Sequence, residues 1–259
     1  MNLYLDRKVV VVTGGASGIG AAIVRSCARE GGISVIVDRD AAAVERLQQQ
    51  LIKDNHRCES VVIDLNETEL AMEALRKIGE KLGRIDALVN NAGINDAVGL
   101  ENGTPELFFS LVCKNLIHYY AMSQAALPFL KESRGSIVNI SSKVAVTGQG
   151  GTSGYAAAKG AILELTSDWA DELAPFGIRV NAVVPAEVWT PQYEDWLRRA
   201  DDPNREKQLV EQRIPLGNRF TEPDEIASMV LFLVSPPTTI TSQVVYVDGG
   251  YVHLDRSLT

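Results

Sequence analysis

Cysteine is nearly absent: Cys27, Cys58 and Cys113 are the three in 259 residues, and they are widely spaced. That count and spacing exclude a disulfide framework and a thiolate metal site, and they suit buried thiols in a reducing compartment. Histidine is as sparse. His56, His118 and His253 are scattered, no HExxH or CxxC occurs, and no metal is expected. Basic residues are in deficit, with 25 Lys and Arg against 33 Asp and Glu and a net charge of −8. No basic cluster offsets this, which excludes a nucleic-acid surface. Long apolar runs are missing too. None approaches a membrane span, and Val9–Val12 is short and follows Asp6-Arg7-Lys8, so no signal peptide is expected and the location expected is the cytoplasm. With no repeat, linker or low-complexity stretch, residues 1–259 read as a single domain.

What the chain does contain is alternation. β-Branched or apolar strands are expected at 8–13, 33–38, 58–64, 85–90, 136–141, 179–184 and 244–247. Helical patterns fall between them at 21–30, 41–54, 67–82, 105–131, 153–174 and 222–234. Lys8–Thr13 shows no polar alternation, as suits a strand buried on both faces. The order predicts an α/β fold, a doubly wound parallel seven-stranded sheet with helices on both faces. Residues 187–215, rich in Trp, Arg, Asp and Pro, break the pattern and read as an excursion. Their Trp189, Tyr193 and Trp196 suit a substrate lid or the packing of a short helix equally well.

The chemistry-bearing residues collect at strand ends. Gly14, Ser17, Gly18, Ile19 and Gly20 lie between the first strand and its helix, where a Gly-rich turn lets backbone N–H groups meet a pyrophosphate. Asp38 ends the next strand, 18 residues after Gly20. There a carboxylate can accept from adenosine ribose hydroxyls and repel a 2′-phosphate, or else cap the following helix. NAD is therefore expected, with neighbouring Arg39 leaving NADP as the alternative. Asp64 and Leu65 follow the third strand, at an adenine subsite or in a plain turn, and Asn91, Ala92 and Gly93 follow the fourth. In open α/β sheets ligands bind at these carboxyl ends, which makes the sheet Rossmann-type. Ser142 follows the fifth strand, and Tyr155 and Lys159 share a helix face at i and i+4. Such a pair is commonplace alone. Beside a hydride carrier it makes a proton-transfer site, the cation favouring the phenolate.

Together these motifs resemble the short-chain dehydrogenase/reductases along essentially the full length. The matching residues are TGGASGIG at 13–20, Asp38, NNAG at 90–93, Asn115, Ser142, YAAAK at 155–159, RVNA at 179–182, Pro185, Thr190 and VDGG at 247–250. The resemblance implies that Tyr155 is the acid/base, that Lys159 lowers its pKa and holds the nicotinamide ribose, and that Ser142 orients the substrate oxygen. It implies that Asn115 supports Lys159 through a water, that Pro185, Val188 and Thr190 flank the nicotinamide, and that the chain is a homotetramer. The apolar stripe of 153–174 could serve such a partner or the core. One departure stands out: Ala186 occupies the position after Pro185 where the family commonly has glycine. If that position needs φ > 0, alanine is strained there and the Glu187 loop changes shape.

Within the family, the segments at 115–124, 141–155, 185–191 and 247–256 look like those of bacterial members that oxidise the anomeric carbon of L-fucose. The resemblance implies an NAD-dependent sugar dehydrogenase releasing a lactone. Asn95, Lys143, Gln149, Glu187 and Trp189 give the implied pocket polar walls, which suit a polyhydroxylated substrate. Lys143 and Glu187 could also pair with each other. The alternatives are a family member acting on a polyol, hydroxysteroid or 3-oxoacyl thioester, and a non-catalytic NAD sensor.

Overall fold

The computed structural model describes residues 3–95, 97–236 and 238–254. Seven parallel strands form one sheet in the order β3-β2-β1-β4-β5-β6-β7. They are β1 Val9–Thr13, β2 Ile33–Asp38, β3 Cys58–Val62, β4 Ala87–Asn90, β5 Ser136–Ile140, β6 Arg179–Pro185 and β7 Val244–Val247. The main helices between them are α1 Gly18–Arg29, α2 Ala41–Lys53, α3 Thr68–Leu82, α4 Pro105–Ser133 and α5 Ser153–Leu173. The expected class and element order both hold.

Successive residues of β1 explain its missing alternation. Val10 and Val12 pack with α1, α2 and α8 (Pro223–Val234) on one side of the sheet. Val9 and Val11 pack with α3, α4 and α5 on the other. All five residues of β1 are buried, and each of its four valine side chains contributes about 1.5–3 kcal/mol of transfer free energy. A buried polar chain also crosses the core. Asn90 donates to Ser123 Oγ (3.1 Å) and to Asn139 Oδ1 (3.0 Å), and Asn139 donates to Thr166 Oγ1 (3.0 Å). It ties α4, β4, β5 and α5 in one register, since a slip would leave buried amides unpaired.

The excursion after β6 contains two short helices that the sequence reading did not resolve, α6 Pro191–Leu197 and α7 Pro203–Glu211. Each has proline at N1 and a capping residue before it: Thr190 Oγ1 accepts from Tyr193 N–H, and Asp202 accepts from Arg205 N–H. The stripe on α5 faces inward, with Ala158, Ile162, Trp169, Ala170 and Leu173 buried, so the core explains it. The outward row is on α4, where Phe109, Ile117 and Tyr120 share one exposed face. No helix among the described residues is long and apolar enough to cross a membrane.

Candidate active site

The sheet order reverses between β1 and β4, which opens a crevice at their carboxyl ends. Out of β1 the chain turns through Gly14 and Gly18, both at positive φ (+61° and +50°), into α1. Ser17 caps that helix without a side-chain capping bond, so the first-turn N–H groups keep no side-chain partner. Asn91 spends its amide fixing this turn. Its Nδ2 donates to the carbonyls of Thr13 (3.0 Å) and Gly14 (3.2 Å), and its own N–H donates to Thr13 Oγ1 (2.9 Å).

Asp38 closes the far side of the turn, accepting from Ala16 N–H (3.0 Å) and Asp40 N–H (3.1 Å). It is not the cap of α2. Asp40 is, through Ala43 N–H (3.0 Å). Arg39 leans across to Asp64 at 3.8 Å, both being substantially exposed. Gly14, Gly18, Asp38, Arg39, Asp64 and Asn91 line one cleft of about 420 Å³, within the size range of small-molecule and cofactor sites.

The cleft ends at Ser142, Tyr155 and Lys159. Ser142 caps a short 3₁₀ turn after β5, and Tyr155 and Lys159 project from the first turns of α5. Lys159 is buried, and its ammonium donates to Ile140 O (2.8 Å) and Tyr119 Oη (3.0 Å). Its Nζ lies 5.6 Å from the centroid of the Tyr155 ring. Burial pushes the Tyr155 phenol above its ordinary range, and the Ser142 hydroxyl beside it pulls the other way. Burial also lowers Lys159 to about 7. The lowering of Tyr155 expected from Lys159 is not seen: loss of water around the phenol dominates, and the Ser142 hydroxyl is what opposes it.

Asn115 interrupts α4 without breaking it. Its Nδ2 donates to Leu111 O (2.9 Å), and its Oδ1 accepts from Ile94 N–H (2.8 Å). A Cβ built on Gly93 would lie 3.1 Å from Asn115 Oδ1 and 3.3 Å from Lys159 Nζ, so both side chains converge on the glycine.

A family profile described as enoyl-(acyl carrier protein) reductase matches residues 14–252. The chain belongs to the short-chain dehydrogenase/reductase family. It is 36% identical over 252 residues to the 3-oxoacyl-[acyl-carrier-protein] reductase FabG of Thermotoga maritima, covering 96% of this chain and 100% of that protein. It is also 36% identical over 247 residues to the L-fucose dehydrogenase of Bos taurus, covering 94% and 88%. Among solved structures, the Cj0485 dehydrogenase superposes with a TM-score of 0.94 at 43% identity, covering 100% and 99%.

Members of this family use NAD or NADP, and the cleft fits such a nucleotide. The cradle is one that side chains would fill: a Cβ on Gly18 would lie 3.3 Å from the methyl of Thr190. Of the cofactor residues expected from the sequence, all but Gly20 line the cleft: Gly14, Ser17, Gly18, Ile19 and Asp38 at its start, Asp64, Leu65, Asn91, Ala92 and Gly93 along it, and Tyr155, Lys159, Pro185, Val188 and Thr190 at its end. Gly20 instead lets α1 approach the turn, since a Cβ there would lie 2.0 Å from Gly14 O.

None of the expected substrate residues lines the cleft itself, although Lys143 follows Ser142 and Glu187 lies between Ala186 and Val188, all three of which do. Lys143 and Glu187 form a buried ion pair, with side-chain exposures of 9% and 12%. The Lys143 ammonium also sits over the Tyr251 ring, 4.1 Å from its centroid. Asn95 is exposed, its Oδ1 accepting from Ala97 N–H (3.0 Å), and Gln149 is exposed. Neither lines the cleft. Nor does Trp189, which packs edge-on against Phe220 at 5.1 Å with Lys207 over its ring. Of the three aromatic residues in the excursion, Tyr193 faces the cleft, and burial followed by the Glu187 charge pushes its phenol up. Ala186 takes no positive φ, so the feared strain does not arise. The loop is held instead by Thr221, which donates N–H to Glu187 O (2.9 Å) and accepts from Trp189 N–H (3.0 Å). Asp255 and Arg256 of the 247–256 segment lie outside the described residues.

Sequence reasoning missed Tyr119 and His118. They are neighbours on α4 whose facing is set by tertiary packing, and their only sequence signal is their distance from Asn115.

Proposed function

We propose that this chain is an NAD-dependent dehydrogenase that oxidises the anomeric carbon of an aldose, L-fucose or a similar 6-deoxy sugar, to a lactone. The observation that carries the reading is the Lys143–Glu187 pair directly beside Ser142, with Tyr193 and Tyr251 against it. A largely buried, electroneutral and polar pair adjoining the cleft residues Ser142 and Val188 suits a ligand with several hydroxyls, and a steroid site would be mostly apolar. The similarity to an L-fucose dehydrogenase supports it.

Ser142 Oγ holds the anomeric oxygen, and Tyr155 Oη takes its proton. Lys159 holds the nicotinamide ribose and passes the proton on, while Asn115 fixes the loop at Ile94 so that Gly93 stays close to both. A bound oxidised nicotinamide nucleotide supplies the hydride acceptor. NAD is preferred because Asp38 meets a 2′-phosphate with like charge, and Arg39 is turned toward Asp64. Residues 187–215 act as the substrate lid. The enzyme works in the cytoplasm as a homotetramer, a reading that the exposed face of α4 supports.

L-Fucose carrying deuterium at C1 tests the chemistry directly. The label should appear in the reduced cofactor and the product should be the lactone. Label retained in the sugar product overturns the anomeric assignment.

A further inference from the structure

We propose that Tyr119 is a positioning residue that keeps the Lys159 ammonium charged and aimed at the cofactor. This rests on the dehydrogenase reading of the site and not on the identity of the sugar. Tyr119 is fully buried in α4, and its hydroxyl proton is committed to Ile140 O at 2.9 Å. With that proton spent, the phenol oxygen offers acceptor lone pairs, and one takes a proton from Lys159 Nζ at 3.0 Å. Lys159 gives a second bond to the same Ile140 carbonyl at 2.8 Å. The three groups close a triangle at the carboxyl end of β5, which leaves one of the ammonium's three N–H bonds for the cleft.

The titratable groups facing Lys159 are few. Tyr155 faces it from α5 and Tyr119 and His118 face it from α4, where burial, and then the Lys159 charge, push His118 down to about 4. No carboxylate among the described residues forms an ion pair with Lys159. Burial favours the neutral amine, and the oxygens of Tyr119 and Ile140 are what oppose it. Tyr119 therefore sets how much of Lys159 is charged near neutral pH, and with it the hold on the ribose and the ease of proton release from Tyr155.

The test follows NADH affinity against pH by fluorescence titration in the native enzyme, Tyr119→Phe and Tyr119→Leu, with a thermal melt of each. Two variants are used so that a folding failure in one still leaves the other. Affinity should be lost as pH rises through the Lys159 pKa. A hydrogen bond to a charged group supports a shift of about one pH unit, so the variants should lose affinity about one unit lower than the native enzyme. They should bind several-fold more weakly at pH 7 and converge with it in acid. A lowered melting temperature with an unmoved inflection is the mark of a merely structural tyrosine and overturns the proposal. If the variants show the shift and the native enzyme oxidises no sugar, the proposal is supported and the substrate reading alone is overturned.

Discussion

At the scale of single residues, Tyr155 separates chemistry from fold most cleanly. Phenylalanine fills the same space, so Tyr155→Phe should keep NADH affinity within about two-fold and lower kcat by about 10²–10⁴-fold. Turnover near the native rate at pH 8 would remove Tyr155 from the mechanism. Glu187 needs a different experiment, because its partner is buried. Glu187→Ala strands Lys143 without its counter-charge, and breaking a buried pair costs about 3–5 kcal/mol, so that variant reports stability first. Replacing both, Lys143→Met with Glu187→Met, removes the stranded charge. The double variant should melt close to the native enzyme and raise the KM for sugar at least about ten-fold with the KM for NAD unchanged. An unaltered sugar KM would show that the pair only braces the loop.

At the scale of elements, legibility followed burial. Strands covered on both faces write continuous β-branched runs, and β2 falls on the limits expected of it. The glycine turn was legible because close backbone approach admits few residues. Gly20→Ala should therefore weaken NADH binding at least ten-fold although alanine favours helix by about 1 kcal/mol. A Cβ there meets backbone 2.0 Å away, which cannot yield as a side chain can, and unchanged affinity by titration would contradict this. The short helices α6 and α7 were written in the Thr190-Pro191 and Asp202-Pro203 pairs but hidden by a polar composition. Tyr119 was not legible, and for Tyr193 and the Lys143–Glu187 pair the sequence left two readings open. Which way a helix face turns, and whether two charges meet or bind a ligand, depends on packing between elements far apart in sequence.

At the scale of the molecule, the sheet puts chemistry at one end and structural ties at the other. Asp86 holds that other end. It accepts from Lys8 Nζ (3.0 Å), Val9 N–H (2.9 Å) and Arg84 (2.6 and 2.7 Å), joining the entry of β1 to that of β4. Burial raises its pKa, but these bonds outweigh burial and hold the carboxyl below its usual range. A lowered folded-state pKa contributes stability that is present above the unfolded carboxylate value and lost as pH falls through the folded one. Asp86→Asn should lower the melting temperature at pH 7 and leave a shallower loss in acid. Parallel melting curves for the two proteins between pH 3 and 7 would contradict it.

The central claim, a nicotinamide-linked oxidation of a sugar at its anomeric carbon, meets its most direct test in initial rates of cofactor reduction. L-Fucose, its stereoisomers and deoxygenated analogues, a polyol, a hydroxysteroid and a 3-hydroxyacyl thioester are each offered with NAD and with NADP. NAD with L-fucose or a close stereochemical relative should give the highest kcat/KM, with NADP poorer and sugars lacking ring hydroxyls rejected far beyond the effect of one methylene. No reduction with any sugar, alongside turnover of the steroid, polyol or thioester, would contradict the account.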